Sequence, residues 1–264
     1  GKLLRIAGIT TDISLRKEAE LGLYRELSVN ATLAALGREL MDPEVDIGKI
    51  ASSVLTHARS LTQSRHGFVS EIDPVTRDNV SHTLTHMMDR DCTVRGEDKK
   101  ITFACNPDGS YPALWGHALN RRTSLFTNDP AAHEQFKGLP HGHVPLRNFL
   151  SIPVFSGADL LGQIALANSV RPYTENDVYV IERLATIYGL AVQRRRAREA
   201  LEQSESRFRS LVEQAGDGIL LVDWDGRIID ANDRACAQLG YSREDLLCLR
   251  APDINPTGAF PKAR

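Results

Sequence analysis

The chain has few cysteines and no ordered arrangement of them. Four occur in 264 residues, Cys92, Cys105, Cys236 and Cys248, and no two form a Cys-x-x-Cys pair. Structural zinc needs about four converging ligands, and a disulfide framework needs dense, paired cysteines, so neither is expected. An excess of either charge is missing as well: 32 basic residues stand against 34 acidic ones. No global basic excess marks nucleic acid as a partner. The run Arg194-Arg195-Arg196-Ala197-Arg198 is followed by Glu199, Glu202 and Glu205, which reads as a solvated helix face. No apolar run approaches the roughly 20 residues that span a bilayer, and no signal peptide is visible. The expected setting is cytoplasmic, with no membrane contact by this segment. Catalytic motifs are also absent. There is no Gly-x-Ser-x-Gly elbow, no Gly-Lys-Ser phosphate loop and no His-Glu-x-x-His, and no spacing selects a Ser-His-Asp triad. No enzyme activity, catalytic residue or metal site is assigned, and any cofactor is unknown.

What is present is a regular succession of elements. Residues 21–41 read as an amphipathic helix, with Leu23, Leu27, Ala31, Ala34 and Leu40 as apolar positions, interrupted at Asp42-Pro43. Asp46 caps a second helix whose Ile47, Ile50, Val54, Ala58 and Leu61 share one face. Strands are expected over 67–73 and 81–88. Residues 89–110 are polar and irregular apart from the run at 101–105. Pro112 opens a short helix reaching Leu119. Asn128-Asp129-Pro130 is a turn. Strands follow over 149–155 and 160–167, joined by the hairpin turn Ser156-Gly157-Ala158-Asp159. A long helix runs from Glu175 to Gln214. Helices at both ends around a mostly antiparallel sheet make an α+β domain.

Three stretches carry family resemblances. From residue 204 the chain reads Ser-Glu-Ser-Arg-Phe-Arg-Ser-Leu-Val-Glu-Gln-Ala-Gly-Asp-Gly, then strands at 219–222 and 227–229 around the turn Asp223-Trp224-Asp225-Gly226. This resembles the opening of a PAS domain, a sensory module of bacterial signalling proteins. Residues 1–20, an alternating strand and a step at Asp12-Ile13-Ser14 into a Glu/Lys/Ala-rich helix, resemble the close of another. Between them, Leu139-Pro-His-Gly-His143, Leu146-Arg-Asn-Phe-Leu-Ser-Ile-Pro-Val154 and Gly162-Gln-Ile-Ala-Leu-Ala-Asn168 are similar to a GAF domain. The resulting division is 1–20 for the end of one PAS domain and its exit helix, and 21–196 for the GAF domain. A linker helix follows at 197–213, then the N-terminal part of a second PAS domain at 214–264. The fold expected is a GAF-like antiparallel sheet flanked by helices, with long helical linkers and a partial PAS domain at each end. On this reading the segment was cut from a longer tandem-sensor protein, such as a sensor histidine kinase of a two-component phosphorelay or a diguanylate cyclase.

The resemblance implies a small-molecule pocket on one face of the sheet and a tendency to dimerise. Cyclic-nucleotide-binding members carry Asn-Lys, then Phe, then Asp-Glu. Here Asn168-Ser169, Tyr173 and Asp177-Val178 stand at those places, so a Lys–Asp pair cannot form. Bilin-binding members need a suitably placed Cys, and the neighbours of Cys92 and Cys105 do not fit. Trp115, His117, Asn128, His141, His143 and Ser151 are the candidate pocket residues for an unidentified small molecule. The His-x-His at 141–143 and the His82/His86 pair lack acidic or thiol partners at metal-ligand spacing. Along the linker helix, Ile187, Leu190, Arg194, Ala197, Leu201, Ser204, Phe208 and Leu211 follow a 3,4 spacing. Ile187, Leu190, Leu201 and Phe208 are its candidate signalling positions, and a homodimer through the linker helices is expected. Arg194 and Ser204 make that seam suited to switching. Ligand sensing relayed through the helix is one expectation, and a ligand-free dimerisation scaffold is the other. The strands beyond residue 218 are expected to be poorly packed or covered by a neighbouring element.

Overall fold

The computed structural model describes residues 14–39, 46–84, 101–139 and 143–254. The chain divides into two units, residues 1–195 and 196–264. The first unit is built on a six-stranded sheet. Its elements are α1 (Ser14–Glu39), α2 (Ile47–Thr62), β1 (Ser64–Ile72), β2 (Asn79–Leu84), β3 (Ile101–Phe103), α3 (Ala113–Arg121), β4 (Leu125–Thr127), β5 (Phe149–Ser156), β6 (Asp159–Ser169) and the part of α4 (Glu175–Glu213) up to Arg195. Strand order is β3-β2-β1-β6-β5-β4. Each neighbouring pair is antiparallel.

Strand alternation gives the sheet two unlike faces. On one face, Val69, Leu150, Ile152, Val154, Ile164 and Leu166 pack against α1, α2 and the first half of α4. Ile50, Ala51, Val54 and Ala58 present one stripe of α2, whose start is capped by Asp46 accepting from the Gly48 N–H at 2.9 Å. Ile181, Leu184, Tyr188 and Val192 of α4 fill the same layer. Where α4 crosses β5 the backbones come so close that a Cβ on Gly189 would stand 2.6 Å from the Phe155 carbonyl oxygen. On the other face, Phe68, Phe149, Ala165 and Ala167 meet α3 and the loops around it. Two β-bulges adjust the alternation. Leu161 is the extra residue opposite the Val154/Phe155 step, and His82 is the extra residue opposite Val69/Ser70.

The fold departs from the sequence reading at several elements. In α1 the buried stripe is Val29, Thr32 and Leu36, with Leu33 packed beside them, whereas Leu23, Leu27, Ala31 and Ala34 are exposed. The helix carries two apolar stripes, and only the first meets α2 and α4. Arg183 of α4 holds this helix by donating to Glu26 and Asn30, at 2.9 and 2.7 Å. Residues 125–127, for which no element was expected, form edge strand β4. The Lys–Asp pair is missing as expected from Ser169, and Asp177 pairs instead with Arg171, which donates to both carboxylate oxygens, at 2.7 and 2.6 Å. Thr174 adds its N–H and hydroxyl, each at 2.9 Å. Burial alone would raise this carboxyl, but the Arg171 and Thr174 donors outweigh it and hold its pKa below the ordinary value. His86, Cys92, residues 1–13 and 85–88 lie outside the described residues, so the strand expected to reach Met88 is described only to Leu84.

The second unit contains β7 (Leu220–Val222), β8 (Ile228–Ala231), α5 (Asp233–Leu239) and α6 (Arg243–Leu247), after the end of α4. Its hairpin is not bare. Ile228, Ala231, Ala235 and Leu246 make a small buried cluster, with Leu220, Leu239 and Leu249 packed around it. The other hairpin face leaves Leu221 and Ile229 exposed. Asn232 is wholly buried and ties the unit together. It donates to the Val212 and Asp217 carbonyls and accepts from the Ile219 and Ala235 amides. Among the described residues no helix is long and apolar enough to cross a membrane.

Candidate functional site

The face of the sheet that carries α3 encloses a cavity of about 570 Å³. Its floor is strand: His66, Gly67 and Phe68 from β1, Ala165, Leu166 and Ala167 from β6, and Phe149 from β5. Small side chains at Ala165 and Ala167 leave room above the sheet that leucines would have filled. One wall is the start of α3, with Ala113, Leu114 and Trp115. The other is loop, with Phe136 to Leu139 and His143, Val144 and Leu146. A volume of this size falls in the range of roughly 300–1,000 Å³ found for small-molecule sites.

Each wall is held by specific polar ties. Asn120 clamps the backbone before α3, accepting from the Tyr111 N–H at 2.8 Å and donating to its carbonyl at 2.7 Å. The Gln163 amide donates to the Trp115 carbonyl at 2.7 Å and to Ser151 Oγ at 2.6 Å, fixing α3 over the sheet. Asn168 takes the left-handed conformation (φ 57°), which Asn tolerates better than most residues. From there its side chain accepts from the Arg147 N–H at 2.8 Å and donates to the Pro145 carbonyl at 2.9 Å. Asn148 answers across the gap, accepting from the Ser169 N–H and donating to the Ser169 and Arg171 carbonyls. The loop bearing Val144 and Leu146 is thereby buttoned to the end of β6.

The GAF family model matches residues 44–193, more than half of the chain. The chain belongs to the GAF domain family. A second model, for the PAS domain, matches residues 206–262. The structure of the GAF domain from a phosphoenolpyruvate-protein phosphotransferase of Coxiella burnetii superposes with a TM-score of 0.53 at 16% identity, covering 66% of this chain and 98% of that one. A methyl sulfide methyltransferase-associated sensor of Methanosarcina acetivorans is 29% identical over 197 residues, 74% of this chain and 19% of the relative. The chain thus spans about a fifth of that relative's length. GAF and PAS domains are regulatory modules, and together with the sensor relative they give this chain a signalling role.

Of the residues singled out from the sequence, the GAF domain brings Trp115 and His143 to the cavity wall. His143 Nδ1 lies 2.7 Å from the carbonyl of its neighbour Val144. His141 lies outside the described residues. His117 turns away from the cavity and meets His133 edge-on, ring centroids 5.1 Å apart. Its pKa is lowered, first by burial and then by the neighbouring His133 and Arg121. Asn128 does not line the cavity. It brackets Tyr173, donating to its carbonyl and accepting from its N–H, and so anchors the turn into α4. Ser151 is buried in the sheet as the acceptor for Gln163, one step behind Trp115. Asn128 thus serves the Tyr173 backbone and Ser151 the Gln163 side chain, groups that would otherwise lack these partners.

Several lining residues were not anticipated. Phe68 and Phe103 stack at 5.1 Å, and Phe103 meets Trp115 at 5.1 Å, so an aromatic row crosses the cavity from β1 through β3 to α3. Phe136, Lys137, Leu139, Leu146 and Phe149 complete it. Among the described residues no group of three or more His, Cys, Asp or Glu is arranged to hold a metal ion.

Proposed function

We propose that this segment senses a small molecule in its GAF cavity and passes the result along α4 to the following PAS domain. From there it would reach a kinase or cyclase output in the parent protein, working as a cytoplasmic homodimer through the linker helices. One observation carries the reading. Strand β1 sends Phe68 into the cavity on one face and Glu71 toward α4 on the other. The Glu71 carboxylate is buried and accepts from Arg195, the side chain at which α4 leaves its packed course. His82, the bulge residue of β2, reaches the same carboxylate oxygen at 3.2 Å. A ligand that displaces Phe68 or its strand acts on the Glu71–Arg195 pair three residues along. Such a ligand biases the output only if it binds the two arrangements with different affinity.

The exposed stripe of Leu201, Phe208 and Leu211 at 3,4 spacing supports pairing of two such helices. In the full-length protein, Leu201→Pro is expected to abolish ligand-dependent output while the GAF core melts as in the wild type. Proline in a helix interior costs roughly 3 kcal/mol or more locally, and no core side chain is touched. Output that continues to follow the stimulus would overturn the relay and leave the domain a spacer.

A further inference from the structure

The chemistry of the cavity wall restricts what it accepts. We propose that the ligand is a planar aromatic molecule bearing one anionic group, its ring against the aromatic row and its charge at Lys137. This rests on the reading of the cavity as the sensing site. Among the described residues five Phe and Trp side chains line it, Phe68, Phe103, Trp115, Phe136 and Phe149. The first three form a continuous row with centroids 5.1 Å apart at each step. Flat π-systems pack on such rows at 4.5–7 Å with an added gain of about 1 kcal/mol per contact beyond area burial. A sugar or other polyhydroxylated ligand would strand its hydroxyls, because no Ser, Thr, Asn or Gln side chain stands among the described lining residues. Each unpaired buried hydroxyl costs about 1–3 kcal/mol.

The charge follows by the same accounting of partners. Among the described lining residues the side chains with polar groups are His66, Lys137, His143 and the indole N–H of Trp115, and no Asp or Glu is among them. Lys137 is exposed between the half-buried Phe136 and the left-handed Gly138 (φ 88°). Its ammonium therefore sits at the rim, where a carboxylate, sulfonate or phosphate on the buried ring emerges. An aromatic enclosure also attracts cations. Here the one formal charge among the described lining residues, on Lys137, is positive and repels them.

Four probes separate the alternatives: 2-naphthoate, the matching alcohol 2-naphthalenemethanol, the matching cation 2-naphthylmethylammonium, and octanoate as a non-aromatic anion. Trp224→Phe in the full 264-residue chain leaves Trp115 as the single tryptophan, so its indole N–H resonance locates binding while calorimetry measures affinity. Naphthoate is expected to shift the indole and to bind about tenfold or more tighter than the alcohol, as one charge-assisted bond implies. Lys137→Met should bring naphthoate down to the alcohol's affinity and leave the alcohol unchanged. Equal binding of acid and alcohol, or tighter binding of the ammonium or of octanoate, would overturn the ligand class and leave the cavity as a sensing site. If no probe moves the indole, the ligand class is overturned, and the sensing role is decided separately by the output of Leu201→Pro.

Discussion

The two halves of α4 are one continuous helix held by different physics. From Val180 to Val192 its inner face is buried, and Ile181, Leu184, Tyr188 and Val192 have essentially no exposure. From Ala197 to Leu211 every residue is exposed. The first half is therefore fixed by packing. The second depends on good helix formers such as Ala197, Glu199, Ala200 and Glu202, and on weak contacts such as the Arg198–Glu202 pair at 3.5 Å. An exposed pair of that kind contributes well under about 1 kcal/mol. The difference teaches where a signal has to be read. A rigid half can only carry a displacement, whereas a half with bare Leu201, Phe208 and Leu211 can settle against a partner in more than one way.

Three substitutions break or sharpen that contrast. The largest effect is expected in the packed half: Leu184→Ala should lower unfolding stability by about 3 kcal/mol, read as a shift in urea midpoint. A loss below about 1 kcal/mol would mean that the first half is not anchored. Next comes the start of the helix, where Asp177→Asn should cost about 2 kcal/mol, allowing for solvent around the part-exposed Arg171. The Asp177 pKa is depressed in the folded chain, so its contribution is complete above the unfolded value of about 3.9 and is lost as pH falls through the folded value. Wild type and variant should therefore differ at pH 6 and converge in strong acid. The smallest effect on stability belongs to Leu201→Ala, within about 0.5 kcal/mol of wild type. It should nevertheless weaken self-association in sedimentation, and an unchanged association constant would leave the stripe without a partner.

Much of the framework was legible because it is local. The Asp46 cap, the turn before Asp159 and the Asp-Gly turn at 225–226 each mark an element within a few residues, and all three elements form. The spacing that picked out a seam along α4 took in Leu190, Leu201, Phe208 and Leu211, which are exposed, but also Ile187, which packs against the GAF core. The wrong stripe in α1 arose because the helix has two apolar faces and only packing chooses between them. The cavity was half hidden for a different reason. Trp115 and His143 stood out as unusual residue types, but Phe68, Phe103, Phe136 and Phe149 look like ordinary core residues. They converge only because β1 lies between β2 and β6, an order that pairs Ser70 with Gln163 across most of the domain. Asn128 and Ser151 misled for a related reason: a polar side chain near a pocket is often committed to a partner behind it, the Tyr173 backbone for Asn128 and the Gln163 amide for Ser151. Arg171 could have been found, since it precedes Asp177 by one turn-sized step through Pro172-Tyr173-Thr174.

Asn232 has a consequence for what the chain can become. Its amide has two donors and two acceptor sites, and all are in use, toward Val212, Asp217, Ile219 and Ala235. Aspartate would keep the acceptors and lose both donors, serine would lose the reach, and glutamine would carry the same groups one carbon too far. No other residue of the twenty satisfies the joint. Drift at the surface of this unit is cheap, but at this position the alphabet has a single letter.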